Sequence, residues 1–308
     1  VKDGARMMDS KQVRIFGIPM DLGQSRRGVD MGPSAIRYAQ LHEKLRTLGF
    51  HTADEGNIHV AQAEQTPALM RAYPNAHFLP QVASICQATY DAIHETWRTG
   101  EFGLFLGGDH SMSVGTVAAA AQRGKLGVVW VDAHTDMNTP ASSPSGNIHG
   151  MALACLLGEG PPELVNIGYD GAKLSPEQII VIGAHDIDRE ERIRVKQSGI
   201  RVYTMRDVDE RGIPHLAKEI LQQFADMDAI HVSLDMDSCD PQFAVGVGTP
   251  VSGGLSYREA HLLMKLISDS GQVRSMDVVE CNPILDDHNR TGILAVDLIM
   301  SMLGDKFL

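Results

Sequence analysis

Leu126-Gly127-Val128-Val129-Trp130-Val131-Asp132-Ala133-His134-Thr135-Asp136 joins two unlike pieces, an uncharged run of strand length and then three ligand-type side chains at alternate positions. The apolar run reads as a strand buried on both faces. The pattern recurs along the chain. Phe102 to Leu106 leads into Gly107-Gly108-Asp109-His110, and Ala229 to Leu234 leads into Asp235-Met236-Asp237. Two further clusters are Ser145-Gly146-Asn147-Ile148-His149-Gly150 and Glu280-Cys281-Asn282-Pro283. Carboxylates at the tips of hydrophobic strands are costly unless a positive charge sits among them. A pair of metal ions supplies that charge.

Further strands are expected near Val13 to Ile18, Phe50 to Asn57, Gln178 to Ile182, Ile200 to Thr204 and Val273 to Val279. Between the strands lie helical patterns over Pro33 to Leu48, Ala76 to Thr99, Ser111 to Arg123, Arg189 to Ser198, Pro214 to Phe224, Ser256 to Asp269 and Gly292 to Leu303. Pro33 at a helix start, and Gly49 and Gly100 at helix ends, are ordinary boundary signals. Alternation of this kind implies βαβ crossovers. The expected fold class is α/β, a three-layer α/β/α arrangement around a mostly parallel eight-stranded sheet. Ligands of such sheets sit outside the carboxyl ends of the strands, where the acidic clusters fall. The Ser-, Pro- and Gly-rich stretch from Asn138 to Gly150 reads as an active-site loop, not a linker. Residues 12–308 are therefore read as one catalytic domain. Residues 1–11 are read as a tail, disordered or introduced for expression, with Met7 or Met8 the natural start.

The chain has 308 residues, 43% of them hydrophobic and 21% charged, as in ordinary globular proteins. No apolar run is long enough for a transmembrane helix, and no signal peptide is evident. The net charge of −12 argues against nucleic acid or an anionic membrane as partner. Cys86, Cys155, Cys239 and Cys281 form no CxxC pair and no disulfide framework, so a cytoplasmic setting is expected.

In an extended segment Asp132, His134 and Asp136 project to one side. Asp235 and Asp237 repeat the spacing, and His110 follows glycines that allow a tight turn. Two imidazoles and four carboxylates suffice for two cations with a water between them. Oxygen-rich ligation with some imidazole suits Mn(II) best, with Co(II), Ni(II) or Fe(II) as alternatives. Each cluster alone has a plainer reading: a solvated strand end, a helix cap, a packed core histidine. Their joint occurrence decides for the metal. His94, His185, His231 and His261 lack such spacing and read as structural or surface residues.

These segments resemble the ureohydrolase family, and the arginases within it. The likeness runs from Ile18-Pro19-Met20-Asp21-Leu22-Gly23 to Asn282-Pro283. It implies a centre of two Mn(2+) per subunit in which Asp132 and Asp235 bridge. His110 and Asp136 would complete one metal, and His134 and Asp237 the other. Asn138, Ser145 and Asn147 would bind a substrate carboxylate, Asp188 the α-ammonium, with Thr249 lining the pocket and Glu280 facing the guanidinium. The plainer readings are self-capping turns for Asn138, Ser145 and Asn147, a helix cap for Asp188 and an exposed strand-end carboxylate for Glu280. Ser238-Cys239 and Ala184-His185 depart from the family pattern, and Cys239 is given no catalytic role.

The implied reaction is hydrolysis of L-arginine to L-ornithine and urea. A metal-bridging hydroxide oriented by Asp136 would attack the guanidinium carbon, and His149 would shuttle a proton. Rival readings are an agmatinase, a metal-dependent deacetylase of related fold, or an arginine sensor. The likeness also implies a homo-oligomer, trimer or hexamer.

Overall fold

The structure is a computed structural model that describes residues 11–65 and 74–305. Residues 1–10 of the expected tail lie outside the described residues. Among the described residues eight strands form one sheet: β1 (Gln12–Ile18), β2 (His51–Asn57), β3 (Phe102–Gly107), β4 (Leu126–Val131), β5 (Ile179–Ala184), β6 (Arg201–Thr204), β7 (Ala229–Asp235) and β8 (Val273–Val279). Their order is β2-β1-β3-β8-β7-β4-β5-β6. Every pairing is parallel, so the "mostly parallel" expectation understates the regularity. Two apolar cores divide the buried side chains. The central strands β3, β4 and β5 are buried along their whole length, which is why they read as unbroken apolar runs. The edge strand β2 is polar and largely exposed, its Asp54 and Glu55 paired with Arg37 and Arg14. Charge of this kind protects an open sheet edge from pairing with other chains.

The register sets up the site. Val131 pairs with Leu234, and Asp235 with Val279. Asp132, Asp235 and Glu280 therefore leave three adjacent strands side by side. The glycines after β3 permit close backbone approach: Asp109 N donates to Met20 O at 2.7 Å. A Cβ on Gly108 would lie 1.8 Å from that same oxygen. Gly108→Ala is expected to cost about 3 kcal/mol or more. In calorimetry its thermal midpoint falls by about 5 °C or more; an unchanged midpoint contradicts the close approach.

The single helix expected over Pro33 to Leu48 is two, Gly32–Tyr38 and Leu41–Thr47, separated by Gln40 at φ 65°. At ~100° per residue, one continuous helix would turn Leu41 and Leu45 roughly 140–180° away from Ile36. All three are fully buried, so the break re-aims the two leucines inward. The helix expected from Ala76 begins at Leu79, with Pro80 in its first turn. Short helices Ala152–Leu156, Pro162–Val165 and Met205–Arg211 were not expected. The last carried a legible signal, the Thr204–Asp207 capping box.

Candidate active site

The tips of β3, β7 and β4 carry the expected ligands, and the tip of β8, between β3 and β7, carries Glu280. His110, Asp132 and Asp235 bring one ligand atom each within 4.8 Å of one another, and so do Asp132, His134 and Asp237. Asp132 belongs to both groups. Its Oδ2 lies 3.1 Å from His110 Nδ1, and its Oδ1 lies 3.3 Å from His134 Nδ1. One carboxylate thus spans both halves. Asp235 lies in the His110 group only. Asp136 lies outside both groups, yet its Oδ2 is 3.1 Å from His110 Nδ1.

The extended arrangement expected for Asp132, His134 and Asp136 does not occur. β4 ends at Val131, and Asp136 takes the left-handed conformation at φ 49°. The three side chains converge through this bend, not through strand alternation. His185 and Asp186 after β5 hold it by donating backbone N–H bonds to Ala133 O, and Ala154 N donates to Asp136 O. Glu280 is also left-handed, at φ 63°. Non-glycine residues in this region store about 1 kcal/mol or more each, and they cluster where side chains must be aimed.

One atom shows that the donor set fits a cation. His110 Nδ1 is buried, has no hydrogen-bond partner, and faces three carboxylate oxygens at 3.0–3.1 Å from Asp132, Asp136 and Asp235. Asp136 Oδ2 is likewise buried without a partner. A lone pair aimed at three anionic oxygens is stable only with a cation between them. Without one, protons take its place. Although burial opposes the charge on His110, the Asp132, Asp136 and Asp235 carboxylates hold its pKa well above the ordinary value. Burial and the neighbouring Asp132 charge push the Asp136 carboxyl up to about 6. A site with two imidazoles and four carboxylates, one of them shared, fits a pair of divalent cations.

Glu280 is fully buried beside the cluster. Its carboxylate accepts from Gln24 Nε2 at 2.8 Å and His110 N at 3.0 Å, and faces His149 Nδ1 at 3.1 Å. It is not the exposed strand end of the plainer reading. Burial favours a neutral His149 ring, but the Glu280 carboxylate, helped by Asp136 and Asp109, raises its pKa to about 9. In the unfolded chain the value returns to 6.5. For the metal-free protein the pair therefore adds stability that is complete below pH 6.5 and lost as the pH rises through about 9. His149→Asn is expected to flatten that part of the curve in denaturant unfolding at pH 6 and pH 9.5. An equal slope in both proteins refutes the pairing.

The loop residues are already tied to one another. Asn138 Nδ2 donates to Asp188 Oδ2 at 2.8 Å, while Asn138 Oδ1 accepts from Ser142 Oγ. Asp188 also caps the helix Arg189–Ser198 by accepting from Glu191 N. Both readings of Asp188 are thus compatible. Ser145 is exposed and accepts from Asn147 N, as a self-capping turn does, and Asn147 Oδ1 accepts from Ser25 Oγ. Thr249 Oγ1 donates to Asp237 Oδ2 at 2.7 Å, so it braces a ligand carboxylate.

Several residues of the site are given no role by the sequence reading. Trp130 stacks on His110 at 4.1 Å and donates to Asp132 Oδ2 at 3.0 Å. Gln24 holds Glu280. Asp109 is buried and accepts from Gly23 N; burial and the Glu280 charge raise its pKa to about 7. Glu191 accepts from Met137 N beneath the loop. The tryptophan offered the one signal available, as a polar-tipped aromatic two residues before an acidic cluster.

Known proteins bear on this geometry. The family model described as "Arginase family" matches residues 11–304. An arginase of Bacillus subtilis (strain 168) is 45% identical over 302 residues, covering 97% of this chain and 99% of the relative. The solved structure of the Bacillus caldovelox arginase superposes with a TM-score of 0.93 at 43% identity, over 96% of this chain and 99% of that one. An Entamoeba histolytica arginase, solved in complex with L-ornithine, gives 0.88 at 32% identity, over 96% and 99% of the two chains. With likeness of this extent falling on a chain whose strand tips assemble the expected ligands, the chain belongs to the arginase family.

Proposed function

We propose that the chain hydrolyses L-arginine to L-ornithine and urea at a centre of two manganese ions. The observation that carries this reading is the pair of ligand groups joined through Asp132, with the buried Glu280 carboxylate beside them. The L-ornithine bound by the Entamoeba relative supports the substrate. Family membership supports manganese, a trimeric or hexameric assembly and a cytoplasmic setting. Among the described residues no helix is long and apolar enough to cross a membrane.

His110, Asp132, His134, Asp136, Asp235 and Asp237 would hold two divalent cations, which when bound would lower the pKa of water towards roughly 7 and make hydroxide available at neutral pH. The protein's own residues do the rest. Glu280 binds the guanidinium cation through charge-assisted hydrogen bonds and fixes its carbon over the cluster. Asp136 takes the proton of the attacking group and delivers it to the leaving nitrogen as the C–N bond breaks. His149 carries a further proton to solvent or product, its ring held beside Glu280 by the Nδ1 contact. Asn138, Ser145 and Asn147 bind the α-carboxylate, and Asp188 the α-ammonium, with Thr249 steadying Asp237.

Urea release from L-arginine and agmatine, measured side by side, tests the reading. L-Arginine is expected to be preferred by at least about 100-fold in kcat/KM, because agmatine offers no carboxylate to the loop of Asn138, Ser145 and Asn147. Equal rates would make the chain a general guanidino hydrolase. Asp188→Ala is expected to raise KM for L-arginine about tenfold or more. It leaves KM for 4-guanidinobutyrate, which has no α-ammonium, unchanged. Equal increases for both substrates contradict the assignment.

A further inference from the structure

Below the strand tips, β7 and β8 carry polar residues at alternate positions. His231 faces Ser275 and Ser233 faces Asp277 in the sheet register, and none of the four is exposed to solvent. Four polar side chains inside a parallel sheet are expensive unless each is satisfied. They are satisfied by one continuous chain. Asp277 Oδ2 accepts from Thr116 Oγ1 at 2.8 Å and from His231 Nε2 at 3.2 Å. His231 Nδ1 lies 2.8 Å from Ser275 Oγ. Asp277 Oδ1 accepts from Ser233 Oγ, and that same Ser233 oxygen lies 2.8 Å from His110 Nε2.

Counting protons fixes every direction. An ionised carboxylate only accepts, so the single hydroxyl hydrogen of Ser233 points at Asp277. Ser233 can then only accept from His110, which puts the ring hydrogen on Nε2. In the neutral ring that a cation requires, His110 Nδ1 is then the bare lone pair, and it is this atom that faces Asp132, Asp136 and Asp235. We propose that Asp277, acting through Ser233, is a positioning residue that sets the His110 tautomer and so licenses cation binding in the His110 half of the centre. His231 and Thr116 hold Asp277 in the orientation this requires. The proposal rests on the two-metal reading above.

Asparagine at 277 reverses the chain. Its carbonyl oxygen turns to the two donors, Thr116 and His231, and its NH2 then faces Ser233. Ser233 accepts from that NH2 and turns its own hydrogen towards His110 Nε2, which must now be the bare nitrogen. The ring hydrogen moves to Nδ1, where a cation would bind. Ser233→Ala merely removes the instruction and leaves both tautomers accessible. The more distant change is thus expected to be the more damaging one, and a residue that only fills space gives no such order.

The test is titration of metal-free protein with manganese, following free Mn(II) by electron paramagnetic resonance. The wild-type chain is expected to bind two ions; failure of this arm alone would sink the two-metal reading and not the relay. Ser233→Ala should weaken one of the two ions by about 10–100-fold and leave the other unchanged. Asp277→Asn should weaken the same ion about tenfold more than Ser233→Ala does. The double variant Asp277→Asn/Ser233→Ala should return to the level of Ser233→Ala, because a reversed instruction with no messenger is silent. An Asp277→Asn variant that binds as tightly as Ser233→Ala or the wild type overturns the proposal, and so does a double variant weaker than both. Retention of the second ion shows that each variant is folded. Should Asp277→Asn fail to fold, a folded Ser233→Ala that binds both ions with wild-type affinity overturns the proposal by itself.

Discussion

Asp132→Asn is expected to release urea from L-arginine at less than about one-thousandth of the wild-type rate, and to lose tight binding of both manganese ions. Asp132 is the one residue common to both ligand groups. Its two oxygens are divided between them, Oδ2 towards His110 and Oδ1 towards His134. Burial opposes its charge, but the His110 and His134 rings hold its pKa well below the usual carboxylate range, so it supplies a full negative charge. An amide keeps the shape and the hydrogen bond from Trp130, yet it presents a single oxygen and no charge. His110→Asn serves as the comparison, since it sits in one group only and is expected to weaken one ion. Metal analysis after dialysis separates them: a ratio near zero for Asp132→Asn and near one for His110→Asn. Two retained ions in Asp132→Asn would show that its carboxylate is not shared.

Glu280→Gln is expected to cut kcat/KM for L-arginine by about 100- to 1,000-fold while manganese binding persists. Glu280 is absent from both ligand groups, so the metals have no direct claim on it. Its fully buried carboxylate is kept in place by Gln24, His149 and the backbone N–H of His110. A buried charge held by neighbours but paired with no metal is available for a cation, and the guanidinium is the cation of the substrate. Glutamine keeps the volume and removes the charge. Steady-state kinetics together with metal analysis check the outcome. Wild-type kcat/KM, or loss of manganese, would contradict the role.

The sheet and the ligand clusters were legible because both follow from local patterns. β3, β4 and β7 are apolar runs that end abruptly in acidic and histidine residues, and parallel strands force their tips to one edge. What was not legible depended on chain direction or on cross-strand partners. Nothing local marks Asp136 or Glu280 as left-handed; their φ of 49° and 63° is imposed by contacts from Ala154 and Gly108, distant in sequence. The break at Gln40 was missed because the stretch from Pro33 to Leu48 has good helix formers throughout, and only the angular offset of Leu41 and Leu45 from Ile36 betrays it. His231 reads from sequence as a structural or surface residue, and its partnership with Asp277 is visible only once β7 and β8 are placed in register. In retrospect the period-two recurrence of polar residues inside two apolar strands, His231, Ser233 and Asp235 with Ser275 and Asp277, was the available trace. Asn138, Ser145 and Asn147 show the opposite case. Their residue types announce hydrogen bonding, and in this structure those bonds go to Asp188, Ser142, Ser25 and their own loop.

Urea release from L-arginine, followed as manganese is added stepwise to metal-free protein, tests the joint action of the two halves most directly. The rate should climb steeply between one and two ions per chain and level off at two. Full activity at one ion per chain, or in the presence of excess chelator, would contradict a centre in which Asp132 joins two cations.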